Sequence, residues 1–183
     1  ALTKYMRRSK TSEARVQIAK VFDAASAYFN EEHVERGQVQ VIGGGAGISD
    51  LAPHRCPHQD GQETGNTQAN TTPGLALNCN DGPGGRCVPA DGGGAGAGYY
   101  DIALWADNRV WHALNFHQEQ AHHFHYNFVA SNSGTGFGDC QFTAQAFGDL
   151  DNDTTFSTYE RSGAADQNGV NAAAGLYIDQ EVE

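Results

Sequence analysis

The 183-residue sequence predicts an α+β domain: a long N-terminal helix packed on an antiparallel sheet of about four strands, with a Gly/Cys-rich loop region between them. Three observations predict it. The first thirty residues contain no glycine or proline and repeat apolar side chains at spacings of three and four. The middle of the chain concentrates turn residues and three of the four cysteines. The C-terminal part alternates apolar and polar residues between turn signals. Residues 1–31 therefore read as a helix and 32–183 as a globular head, with a loop-rich insertion at 37–98 and a short helix plus sheet at 99–183.

The helix comes first. Ala14, Ile18, Val21, Phe22, Ala25, Tyr28 and Phe29 form one apolar face. Thirty residues rising about 1.5 Å each make a rod of roughly 45 Å, longer than a small body needs. Its first third, Leu2 to Lys10, has little apolar stripe and is expected to project from the body.

The middle carries Gly43-Gly44-Gly45, Pro53, Pro57, Pro73, Pro83, Gly84-Gly85, Pro89 and Gly92-Gly93-Gly94. A loop region this long inside a compact domain is expected to be cross-linked or functional. Cys56, Cys79, Cys87 and Cys140 form an even set without a CxxC pair, so the reading is two disulfides in an oxidising compartment. Three connectivities are open. The favoured one joins Cys79 to Cys87 across a short loop and Cys56 to Cys140.

A short helix is expected from Ala106 to Leu114, then strands at His123–Ala130, Cys140–Phe147, Thr155–Arg161 and Leu176–Val182. Ser133 to Gly136, Asp149 to Asp153 and Gly163 to Gly169 read as the separating turns.

Composition narrows the function classes. With 39% hydrophobic and 18% charged residues, nine Phe, seven Tyr and two Trp, the chain is neither a charged disordered polymer nor a membrane-spanning segment. A net charge of −11 argues against nucleic acid as the main partner. Residues 1–20 hold six basic side chains against one acid, Glu13, while the rest hold five basic and 21 acidic ones. A basic stem on an acidic body is suited to attract copies of itself or anionic lipid.

Two clusters invite metal readings. Asp149, Asp151 and Asp153 alternate in a turn, a pattern that can converge on Ca²⁺, and Glu160 stands where a helix–loop–helix calcium loop places its bidentate acid. Thr154 occupies the position of the glycine such loops use, and the flanks read as strands. A calcium-stapled β-turn is therefore the form a calcium site would take here, while the reading given more weight is a plain polar turn. His112, His117, His122, His123 and His125 form the second cluster, with His123 and His125 on one strand face where both could bind zinc or copper, although the favoured reading is an exposed or hydrogen-bonded aromatic strand. No HExxH, GxSxG, P-loop or dinucleotide fingerprint is present, so no catalytic residue is assigned and the chain is not read as an enzyme.

The opening run Leu2, Tyr5, Ser9, Lys10, Ser12, Glu13 and Ala14, followed by Tyr28-Phe29, resembles the stem x-L-x-x-Y-x-x-x-S-K-x-S-E-A of type IV pilins and type II secretion pseudopilins. Trp111 to Phe116, Phe124 to Val129, Phe142 to Ala144, Gly148 to Asp151 and Ser157-Thr158 are similar to deltaproteobacterial pilin-like proteins. The likeness covers roughly 80 residues in two blocks. The family's apolar membrane half-helix is not in the sequence, which begins at Ala1 and reads as a processed or truncated form. No cysteine follows Cys140, unlike the C-terminal disulfide loop of many pilins.

The resemblance implies a structural subunit of a pilus or pseudopilus filament, serving attachment, motility or secretion. Its partners would be copies of itself, the pilus or type II secretion machinery, and the inner membrane through the missing segment. It would be anchored on the periplasmic side before assembly and on the cell surface afterwards. Leu2, Tyr5, Arg7, Arg8, Ser9, Lys10, Glu13 and Arg15 would be the assembly residues, the arginines and Lys10 meeting acids on neighbouring bodies. The alternatives are a secreted calcium-stabilised binding module and, behind it, a histidine-metal enzyme.

Overall fold

A computed structural model describes residues 2–30, 56–57, 65–68, 71–133, 139–166, 169–172 and 176–179. Helix α1 spans Leu2–Asn30, as expected. Two short helices follow, α2 at Ala103–Ala106 and α3 at Arg109–Leu114, where one was expected. Asn108 separates them. Its backbone is extended, and its side-chain oxygen accepts the Val110 and Trp111 amides, capping α3 and ending the run from α2.

The strands are β1 (Gly65–Gln68), β2 (Val88–Ala90), β3 (Tyr99–Asp101), β4 (His125–Ser133), β5 (Asp139–Gly148), β6 (Ser157–Asp166), β7 (Gly169–Ala172) and β8 (Tyr177–Asp179). Six make one antiparallel sheet in the order β1-β4-β5-β6-β7, with β8 also on β6. Strands β2 and β3 form a separate parallel pair. Among the described residues the sheet thus has six strands instead of about four. Strand β1, Gly-Asn-Thr-Gln, lies inside the segment read as loop and has no apolar alternation to betray it. Strand β6 runs through Gly163, although glycine there reads as the start of a turn. Gly43 to Gly45, Pro53 and the end of the last expected strand lie outside the described residues.

One sheet face is the core. Opposed triples cross it: Tyr126, Ala146 and Tyr159; Phe128, Ala144 and Arg161; Ala130, Phe142 and Gly163. Small residues stand beside large ones, leaving room for α1. Ala14, Ile18, Val21, Phe22, Ala25 and Phe29 of that helix are buried, while Tyr28 is half-buried at the margin. The Phe22 ring lies 5.2 Å from Phe142, and the Arg161 guanidinium sits 4.2 Å from the Phe22 centroid. Glycine at 163 makes this approach possible. A Cβ there would come within 2.7 Å of the Phe142 ring and 2.9 Å of Phe22.

Both disulfides form, Cys56 to Cys140 and Cys79 to Cys87. The first spans 84 residues and the second 8, so in the chain-entropy account they restrict the unfolded chain by about 4–5 and 2–3 kcal/mol respectively.

Candidate functional site

The stem is built from side chains that bond their own helix. Ser9, Thr11 and Ser12 donate to the carbonyls of Met6, Arg8 and Ser9 at 2.7, 2.6 and 2.7 Å. Leu2 and Tyr5 are each 72% exposed, and Met6, Arg8 and Arg15 are also exposed, with Lys10 half-buried. Leu2, Tyr5, Met6 and Arg8 therefore leave an exposed surface on the first turns of the helix. Arg7 differs: it reaches Asp151 of its own body at 3.3 Å.

Glu13 also turns inward. Oε1 accepts the Tyr126 hydroxyl at 3.0 Å and the His123 amide at 3.0 Å, and Oε2 accepts His123 Nδ1 at 2.8 Å. Burial alone would raise the Glu13 pKa. The His123 hydrogen bonds and the charge of the nearby histidines outweigh it, so the pKa is lowered. Tyr126, buried and facing this carboxylate, is pushed well above the usual phenol value. The stem is thus riveted to the start of β4 by one acid.

The acidic turn joins β5 to β6. Asp149 Oδ1 accepts the amides of Asn152 at 2.8 Å and Asp153 at 3.2 Å, while Oδ2 accepts Thr154 at 3.0 Å. Asp153 Oδ1 accepts Thr155 at 2.7 Å, and that bond leads in lowering its pKa. Thr154, at the expected glycine position, has a φ of 73°, a strained value for a β-branched residue. The three aspartates present oxygens within 4.8 Å of one another. Asp151 Oδ1 is buried without a hydrogen-bond partner. Glu160 stands outside this group. It lies on β6 opposite Gln145, whose amide donates to it at 2.6 Å. Asn80 donates to the Asp149 carbonyl at 2.6 Å and Asn78 to Asn152 at 3.1 Å, so the Cys79–Cys87 loop clasps the turn.

The histidines disperse. His112 is exposed at the end of α3, and His117 pairs with Glu119 at 2.9 Å. His122 precedes β4, and its Nδ1 donates to the Phe124 carbonyl at 2.8 Å. Its Nε2 accepts the Tyr100 hydroxyl at 2.7 Å, which in turn accepts Trp105 Nε1 at 2.9 Å. Burial lowers the His122 pKa to about 4. His123 serves Glu13. His125 lies buried against Cys79 and donates Nδ1–H to the Pro73 carbonyl at 2.8 Å; its pKa is lowered by burial. Among the described residues, no ligand-like group combines two histidines, so the shared His123–His125 metal site is not assembled.

A cavity of about 240 Å³ opens between the short disulfide loop and the acidic turn, lined by Leu75, Leu77, Asn78, Cys79, Asn80, His125, Asp149, Thr154 and Phe156. Sequence reasoning missed this cavity and the Glu13 rivet. The rivet had a signal, because Glu13 is the lone acid among six bases. The cavity had none, since its walls come from three separated segments.

Comparison with protein-family models, curated proteins and solved structures finds no match for this chain. No helix among the described residues is long and apolar enough to cross a membrane.

Proposed function

We propose that this chain is a structural subunit of a type IV pilus or pseudopilus filament, assembling through its N-terminal helix. One observation carries the reading. A single helix is buried on the sheet from Thr11 onward, yet extends about two and a half turns before it as a basic surface bearing exposed Leu2, Tyr5 and Met6. Bare apolar side chains beside basic ones suit packing against further helices and the acidic bodies of neighbouring copies. In this reading an upstream apolar segment anchors the subunit in the inner membrane before the assembly machinery draws it into the fibre. Attachment, motility or secretion would then be carried by the loop-bearing face of the head.

The test is immunogold electron microscopy of sheared surface fibres with antibody to the head. Label repeating along the fibres is expected. Bare fibres, with the antigen recovered in a non-sedimenting form, would overturn the proposal.

A second reading is favoured by the orphaned Asp151 oxygen. The three aspartates fit a hard cation that takes over Asp151 from Arg7, making a calcium-stapled turn of a secreted module. Thermal melting in millimolar calcium decides it. A raised midpoint is expected, and an unchanged one removes calcium.

A further inference from the structure

Cys79, Cys87 and His125 meet in the interior, all three buried, with Sγ, Sγ and an imidazole nitrogen mutually within 4.8 Å. In the oxidised chain the two sulfurs are joined to each other. The histidine explains why the arrangement matters. A carbonyl can only accept, so the 2.8 Å contact to Pro73 fixes the proton on Nδ1. Nε2 is then an unprotonated acceptor, and Cys79 Sγ lies 3.5 Å away. A disulfide sulfur has no proton to offer. A buried lone pair therefore faces a sulfur with nothing between them to bond.

We propose that Cys79, Cys87 and His125 form a redox-gated site for a soft divalent metal, zinc by chemical class, closed by the disulfide and opened by its reduction. Three features support it. Tetrahedral zinc with sulfur near 2.3 Å and nitrogen near 2.0–2.1 Å separates those two ligands by about 3.6 Å, close to the present spacing of Sγ and Nε2. The Pro73 carbonyl already orients the imaidazole as second-sphere acceptors do in zinc sites. The cavity reaches Cys79 and His125 from outside, providing a path and room for a fourth ligand, water.

The chemistry balances. A dithiol reductant attacks the disulfide, gives two electrons and two protons to the cysteines, and leaves as its own cyclic disulfide. Zinc then displaces both thiol protons to buffer. Two thiolates cancel the metal's charge, so the buried site carries none, and the sulfurs move apart to about 3.8 Å. While the metal is bound, both sulfurs are held as ligands and the disulfide stays open.

Cobalt(II), titrated anaerobically into the dithiothreitol-reduced, desalted full chain, is the probe. One equivalent is expected to give a thiolate-to-cobalt charge-transfer band and tetrahedral d–d bands, bleached by zinc. The oxidised chain is expected to give neither. Cys56→Ser with Cys140→Ser is expected to keep the bands, whereas Cys79→Ser with Cys87→Ser abolishes the charge-transfer band. His125→Asn preserves a donor toward Pro73 but removes Nε2, and is expected to weaken binding at least about tenfold. A second readout guards against unfolded variants: zinc should raise the melting midpoint of the reduced, unsubstituted chain. Absence of the bands there, their persistence without Cys79 and Cys87, full affinity in His125→Asn, or an unmoved midpoint would each overturn the proposal.

Discussion

From Thr11 to Phe29, α1 presses an apolar face into the sheet; from Leu2 to Lys10, it touches the body through Arg7. The upper part is held by excluded water and tight ring packing against β5 and β6. The lower part is held by hydroxyl bonds along its own backbone and by charge. Helices of about ten residues are marginal in water, so the lower turns persist because the upper turns have already set the geometry. The division falls at Glu13, which ties one regime to the other.

The sharpest break between the two is expected at Phe22. Its replacement by alanine removes the ring tilted against Phe142 and beneath Arg161, and should cost about 3–5 kcal/mol in urea unfolding. A loss under 1 kcal/mol would mean that the helix–sheet interface is not the main anchor. Acid should act next. His122 faces Glu13, His123, His125, Tyr100 and Tyr126, and its pKa is lowered by burial from 6.5 to about 4. Below pH 6.5 the unfolded chain takes up this proton and the folded chain does not. Stability is therefore full above that pH and falls as the pH drops toward 4, by about 3 kcal/mol from this group. His122→Gln should flatten the slope between pH 6.5 and 4 in pH-dependent melting, and an unchanged slope would assign it elsewhere.

Glu13→Ala should cost about 2 kcal/mol, because it strands the Tyr126 hydroxyl and the His123 amide together. Amide exchange should then quicken in the lower turns more than near Phe22. Arg7→Ala should cost no more than about 1 kcal/mol, less at high salt, since Arg7 remains partly exposed. A larger loss would move Arg7 into the regime of Phe22.

The helix, its apolar stripe and the three long strands were legible because burial imprints a period on the sequence. Tyr126, Phe128, Phe142, Ala144 and Ala146 lie on the face their alternation assigns. Strand β1 was not legible, because an edge strand of Gly, Asn, Thr and Gln is held by backbone bonds that any sequence can make. The even set of cysteines made two disulfides legible, and of the three open pairings the one with the short Cys79–Cys87 loop is the one that forms. The convergence of His125 on Cys79 was not legible, because 46 residues and an intervening helix pair separate them. The acidic turn was half legible: its three aspartates gather as their alternation suggests, whereas strand pairing carries Glu160 away.

The bond between Cys56 and Cys140 encloses 84 residues of chain, including the whole of the short disulfide loop. A protease that nicks any peptide bond between those two cysteines therefore releases no fragment. The cut protein keeps its mass on a non-reducing gel and separates into two pieces only when thiol is added. Such a cut within this segment would go unseen by size until the cross-link was undone.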